Sequence, residues 1–487
     1  MVKKVWNLLS EGGWALLVLL LPLTSLPLLA KLVHSPSVAA PSGVVLLIAV
    51  IFGYLPYLWR GGVLPRQSMP LLIFIAITLA ACLAAFFIDL PPFKAVSIYR
   101  NELEGLLTLA VGVSFYLVVA TYPASPERMR KTLLWLNFSG LILILWSLTQ
   151  VATWYLFNRY PAWIRTLQDL ISLGPLYRQR PAGFTLEPSW LAHQLNMLYL
   201  PIWLAATIKR KTAFSRRILG VSGENLLLIG GAAVLFLTYS RVGLLAFLLM
   251  IGFLLIRANF WLIKRLENRA QRLRKVSVRK KYALRMGLFA GLLVFYLIAL
   301  LGLGYGLSRV DVRMKNLFQF SSGVDNPILT YTRDLNFASR VVYWQAGWGV
   351  FNQYPWLGVG LGNAGYFFPQ TMSSFGWGLF EVRNLMYSAP DLPNIKSLWV
   401  RLLAETGLIG FGCFVIWLNL HWMTGRELEK QKTRYGPWLG MAGQFVLIGL
   451  LLEGFSVDSF ALPYFWVTLG LVAAADRLGK IGENKLL

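Results

Sequence analysis

"PNIKSLWVRLLAETGLIGFGCFVIWL", residues 393–418, reads as the apolar text of a membrane-spanning helix, yet Lys396, Arg401 and Glu405 sit inside it or at its mouth. An ionised side chain within a span costs about 2.5–3.5 kcal/mol on insertion scales, so charges kept there mark a functional site whose partners must lie elsewhere in the chain. Arg401 and Glu405 are four residues apart and can also pair on one helix face, a structural reading that stands beside any role in binding.

The rest of the chain has the same character. Of its 487 residues 57% are hydrophobic and only 14% charged, with a mean hydropathy of +0.59. That is more apolar surface than a soluble domain can bury, and it predicts an all-α polytopic membrane protein. Segments of the length a hydrocarbon core requires occur about twelve times. They fall near 13–32, 43–59, 70–89, 105–122, 132–156, 188–208, 225–239, 241–262, 286–307, 396–420, 437–456 and 460–476. The break between the seventh and eighth is set at "TYSRVG" (238–243), since otherwise Arg241 would be stranded at depth. The expected organisation is a bundle of nine helices over 1–307, a large extracytoplasmic loop over 308–395, and three more helices over 396–487.

The net charge of +25 first suggests nucleic acid. Its distribution points to a membrane instead. With both termini in the cytoplasm, most of the 46 Lys and Arg fall on the cytoplasmic side, the positive-inside pattern. The strongest run, "RANFWLIKRLENRAQRLRKVSVRKKYALR" (257–285), reads as a basic juxtamembrane segment attracted to anionic headgroups of membrane lipids. The two cysteines, Cys82 and Cys413, lie in apolar segments and offer neither a disulfide framework nor a Cys-rich metal site.

On this topology the conspicuous polar groups fall at the outer ends of spans. "RQRPAGFTLEPSWLAH" (178–193) places Arg178, Arg180 and Glu187 just before the sixth span, with Pro188 at a first helical position. Arg241 opens the eighth span, Arg340 lies in the outer loop, and Lys396 opens the tenth. Brought together, they would form a cationic cavity whose natural guest is an anion, and guanidinium forks suit phosphate oxygens. Taken singly, Arg178, Arg180 or Arg241 would also be explained by snorkelling to headgroups. His193 and His421 read as packing or interface residues. "ASRVVYWQAGWGVF" (338–351) puts Val342, Ala346 and Val350 on one helix face. Gly358, Gly360 and Gly362 of "GVGLGNAGYFFP" read as a tight turn, because no strand-turn-helix pattern surrounds them.

Four stretches together resemble the O-antigen ligase and polysaccharide polymerase superfamily, loosely over nearly the whole chain. "RPAGFTLEPSWLA" is similar to its Arg-x-x-Gly segment before a span, and "LTYSRVGLLAF" to its Thr-x-Ser-Arg-Gly span start. "SRVVYWQAGWGVFNQYPWLGVGLGN" resembles its Arg-x-x-x-Trp helix and following glycine turn, and "SLWVRLLAETGLIG" the signature that closes the outer loop. The resemblance implies a glycosyltransferase of the bacterial cytoplasmic (inner) membrane, working at the outer face without a nucleotide sugar, a cofactor or an obligatory metal. The implied donor is a glycan on a polyprenyl diphosphate, undecaprenyl diphosphate, and the acceptor a hydroxyl of a glycan or glycolipid. Arg180, Arg241 and Arg340 would then neutralise the leaving diphosphate.

One departure concerns the acid–base chemistry. Ligases carry His-Asn just before the tenth-span signature, whereas this chain has Lys396-Ser397. Lys396 would accept a proton only if desolvation and cations such as Arg401 lowered its pKa, and otherwise it would be a further diphosphate clamp. Glu187 stands where the family often has Asn, and a carboxylate beside Arg180 is a sensible base. Glu187, Lys396 and no side-chain base at all remain three open readings, and the missing histidine favours a polymerase or divergent transferase over a ligase proper. Two other classes stay open as well: a multi-pass anion or lipid-linked glycan transporter, which Glu405 and Glu453 would serve, and a non-catalytic assembly partner. Against transport, the polar groups gather at one face and not at the midplane.

Overall fold

The computed structural model describes residues 2–33, 40–215, 217–272, 278–310 and 337–483. Residues 273–277 of the basic run and 311–336 of the expected outer loop lie outside the described residues. Among those described the protein is helical, with no strand and only two isolated bridges, Tyr177 with Arg180 and Ile218 with Val221.

Seven described helices are long and apolar enough to cross a membrane: Pro41–Trp59, Arg66–Ala85, Ile98–Thr121, Pro126–Phe157, Arg241–Arg265, Leu398–Lys430 and Gly436–Glu453. Two of the other expected spans are interrupted, each for a local reason. The expected span 13–32 ends its first helix at Leu19 and resumes at Pro27, because Pro22 and Pro27 each lack the N–H that an uninterrupted ladder requires. The segment from 188 runs as Pro188–Gln194, a π turn over Leu195–Tyr199, and Leu200–Lys209. Pro201 stands at the start of the last piece, where its missing N–H is compatible with the change of winding.

The chain divides into two compact units. One comprises Met1–Ala246, Tyr343–Ser373 and Asn384–Leu487, the other Phe247–Val342 and Ser374–Arg383. In the first unit Leu398–Lys430 packs on Gly436–Glu453, Arg66–Ala85 and Tyr464–Glu483, and Leu200–Lys209 packs on Gly436–Glu453 and Gly223–Leu237. Small residues permit these crossings, as van der Waals association of spanning helices requires. A Cβ on Gly425 would stand 2.7 Å from the carbonyl oxygen of Gly440, so these two backbones touch. Trp203 fills the notch left by Gly140 and Gly231, and its indole N–H donates to Asn137 Oδ1 at 2.9 Å.

The long helix Leu398–Lys430 is not continuous: Gly407 takes φ +64, ψ −172 inside it. The carbonyls freed by the kink are taken up by the glycine loop, with Val359 N–H donating to Ala404 O at 3.0 Å and Gly360 N–H to Glu405 O at 3.1 Å. From the other side Leu408 N–H donates to Pro355 O at 2.8 Å. The expected tight turn is therefore present, with φ of +71, +84 and +90 at Gly358, Gly360 and Gly362. Asn363 anchors the loop further through Nδ2, which donates to Glu102 Oε1 at 2.7 Å. Val342, Ala346 and Val350 of Ala338–Gln353, which the sequence puts on one helix face, are buried.

Candidate functional site

Glu187 is the N-cap of the helix Pro188–Gln194, with extended backbone and Pro188 at the first position. Its carbonyl accepts the first helical bond from Trp190 at 3.0 Å, and its Oε1 accepts from the Ser189 hydroxyl. The segment before it is folded by a residue the sequence did not single out. Gln150 accepts at Oε1 from the N–H groups of Ala182 and Gly183, at 3.0 and 2.9 Å, and returns a bond from Nε2 to Gly183 O at 3.1 Å. Gly183 sits at φ +58, so the Arg-x-x-Gly spacing reflects a left-handed turn clamped by a buried amide.

That turn aims Arg180 at the start of another helix. Its Nε donates to the carbonyl of Thr238 at 2.7 Å, three residues before Arg241 opens Arg241–Arg272. Both arginines are half-buried. Arg178 points elsewhere, exposed and with its guanidinium 6.0 Å over the Trp154 ring. Tyr177 reports the local field: burial foremost, then the Glu187 carboxylate, raise its pKa, while the Arg180 guanidinium opposes them.

Lys396 and Arg401 meet a second residue that sequence reading passed over, Asp458. The backbone N–H of Lys396 donates to Asp458 Oδ2 at 3.2 Å, and Arg401 Nη1 donates to the Asp458 carbonyl at 2.6 Å. Arg401 Nε also donates to Glu405 Oε2 at 2.8 Å, and the guanidinium lies 5.4 Å from the Phe460 ring centre. The pairing of Arg401 with Glu405 is thus present, and it engages the cation chiefly with its own helix and the 458–460 segment. Ser397 caps Leu398–Lys430 through its side chain. Leu398 N–H donates to Gly454 O at 2.7 Å, which joins this helix start to the end of Gly436–Glu453.

The approach to Lys396 is held by Lys94, whose Nζ donates to the carbonyls of Leu385, Ala389 and Asp391, the last two at 2.7 and 2.9 Å. Its burial under this strap lowers its pKa, an effect opposed by the Asp391 charge. No local periodicity marks such a lysine, because its partners lie about three hundred residues away.

Behind the Arg241 turn, Asn196, His193 and Glu453 form a buried cluster that links three helices. Asn196 Nδ2 donates to Glu453 Oε1 at 2.6 Å and to Gly243 O at 2.7 Å, and His193 Nδ1 contacts Glu453 Oε2. The sequence marks His193 as a packing or interface residue and Glu453 as one that could serve transport; spacing alone gives no sign that the two meet.

The first unit therefore assembles the starts of the helices beginning at Pro188, Arg241 and Leu398 with the end of Gly436–Glu453. Three of these ends are N-termini, whose helix dipoles favour an anion. Arg340 belongs to the second unit, half-buried in the first turn of Ala338–Gln353. Its neighbour Ser339 donates to Glu381 Oε2 at 2.7 Å.

Residues 226–415 match the family model described as O-Antigen ligase. The matched stretch contains three of the four motifs quoted above, those around Arg241, Arg340 and Arg401, and it supports the O-antigen ligase and polymerase superfamily. The Arg180 segment precedes it. No curated protein matches the chain.

Proposed function

We propose that the protein is a membrane glycosyltransferase that moves a glycan from undecaprenyl diphosphate to an acceptor hydroxyl at the outer face of the bacterial cytoplasmic membrane. The multi-pass helical architecture and the O-antigen ligase match carry the coarser part of this reading, a membrane enzyme of glycan transfer. The observation behind the finer part is the bond from Arg180 to the Thr238 carbonyl, which ties two cation-bearing segments from different helices into one place.

In this reading the acceptor oxygen attacks the anomeric carbon as the bond from that carbon to the diphosphate oxygen breaks, and undecaprenyl diphosphate leaves with the electron pair. Arg180 and Arg241 stabilise the negative charge that develops on the leaving group. The acceptor proton passes to Glu187 or to Lys396. Glu187 is favoured because its carboxylate and the Arg180 guanidinium both act on Tyr177. Lys396-Ser397 in place of His-Asn favours a polymerase or divergent transferase over a ligase proper.

The test is reconstitution of purified protein in detergent with an undecaprenyl-diphosphate-linked oligosaccharide and candidate acceptors. Transfer in detergent, lost in Arg180→Ala and Arg241→Ala, supports the proposal and excludes transport as the only activity, since no sealed compartment exists. Undiminished transfer in both variants would defeat the site assignment. Solute movement into proteoliposomes without any transfer would favour the carrier reading.

A further inference from the structure

The chemistry above leaves unused a carboxylate, an imidazole and a carboxamide buried together: Glu453 is 0% exposed, His193 1% and Asn196 0%. An ionisable pair inside a bundle is costly to desolvate, and apolar residues of similar volume would pack there at no such cost. Its geometry gives it a task. Asn196 donates to Gly243 O, in the first turn of the helix that Arg241 opens, and the same amide donates to Glu453. Gly243 makes this possible, since a Cβ there would come within 2.6 Å of Ala192 Cβ, so the two helices touch and expose the carbonyl to Asn196. Asn196 itself stands in the π turn Leu195–Tyr199, a winding that recurs at functional sites.

Glu453 reaches the other cationic segment through its own backbone neighbours. It ends Gly436–Glu453, and the next carbonyl, Gly454 O, accepts from Leu398 N–H at 2.7 Å and from the Ser397 hydroxyl at 3.1 Å. One side chain thus contacts the amide that holds the Arg241 turn, and the adjoining peptide holds the turn that carries Lys396.

We infer that Glu453, His193 and Asn196 form a positioning unit that fixes the Arg241 turn in register with the Lys396-Ser397 turn. This rests on the proposed function, in which Arg241 stabilises the leaving diphosphate and Lys396 is a candidate to take the acceptor proton. The unit acts through Arg241 and does not touch substrate: Asn196 sets the helix start, Glu453 orients Asn196, and His193 orients Glu453. Its chemical requirement is an N–H donor on Glu453 from position 193 and an N–H donor on Gly243 O from position 196.

A double-mutant cycle tests the coupling. With the undecaprenyl-diphosphate-linked oligosaccharide as donor, Asn196→Leu is expected to lower kcat by on the order of tenfold or more, as slight misplacement of catalytic groups does. In an Arg241→Lys background it should cost little further, because the group it positions is already altered. His193→Asn, which supplies an N–H near the place of Nδ1, should retain most activity where His193→Leu does not. Amide hydrogen exchange over residues 239–246 should speed up in Asn196→Leu and in His193→Leu, a readout that needs no turnover. Additive losses in the cycle, equal activity of His193→Asn and His193→Leu, or wild-type exchange over 239–246 would each overturn the inference. Absence of transfer by the wild-type protein would instead remove the proposed function, and the exchange measurement would still decide whether this tether exists.

Discussion

The backbone N–H of Lys396 lies 3.2 Å from Oδ2 of Asp458, and Lys396 holds a left-handed conformation, φ +58, at the entrance to the helix Leu398–Lys430. A lysine there carries backbone strain that glycine would not, so backbone and ammonium can be separated by substitution.

Lys396→Gly relieves the strain while loosening the unfolded chain, and the two effects nearly offset, leaving stability within about 1 kcal/mol of wild type. Transfer should nevertheless fall on the order of a hundredfold if the ammonium takes the proton or steadies the leaving diphosphate. Thermal unfolding in detergent and a transfer assay on the same preparation check this; a fully active Lys396→Gly would confine position 396 to a backbone role.

Arg401 and Glu405 have side-chain exposures of only 12% and 5%. Removing one partner of a buried pair leaves an uncompensated charge, at a cost of about 3–5 kcal/mol. Glu405→Leu should therefore be markedly less stable than the double replacement Arg401→Met with Glu405→Leu, as judged by unfolding midpoints. Equal destabilisation by the single and double changes would show that the pair does not act as a unit.

Gly407 has φ +64, and a Cβ there would run into the Trp356 backbone, whereas one on Gly412 would meet nothing within 4 Å. Gly407→Ala is expected to lose about 3 kcal/mol or more, because neither backbone can yield without freeing the carbonyls of Ala404 and Glu405. Gly412→Ala, in the same helix, should change stability by no more than about 1 kcal/mol. Comparable yields and melting of both variants would refute the docking of the glycine loop at the kink.

Tyr177 titrates above the ordinary tyrosine range because of burial and the Glu187 carboxylate, with Arg180 acting in the opposite sense. Glu187→Gln removes a negative charge and should lower the Tyr177 pKa; Arg180→Ala removes a positive one and should raise it further. A fluorotyrosine placed at 177 and followed by fluorine NMR through an alkaline titration reads both shifts. Their absence would separate Tyr177 from the two charges, and with it the placement of Glu187 beside Arg180.

Much of the local structure was legible before any coordinates. Mean hydropathy and segment length dictated a helical membrane protein, since backbone polar groups in lipid must be satisfied within the segment. Pro188 after Glu187 marked a helix start, and three alternating glycines marked the turn that the loop adopts. Periodicity also put Val342, Ala346 and Val350 on one helix face, the one the structure buries. These features are set by neighbours within a few residues, so the order of the residues suffices to specify them.

What only the tertiary structure decided is which polar groups meet. Glu453 finds His193 across 260 positions, Arg180 reaches Thr238 across 58, and Asp458 lies 62 residues from the Lys396 it holds. In apolar helices, side-chain type records burial but not the partner. Helix crossings are set by shape at residues such as Gly243 and Gly440, and the hydrogen bonds follow wherever those close approaches bring a carbonyl and a donor together.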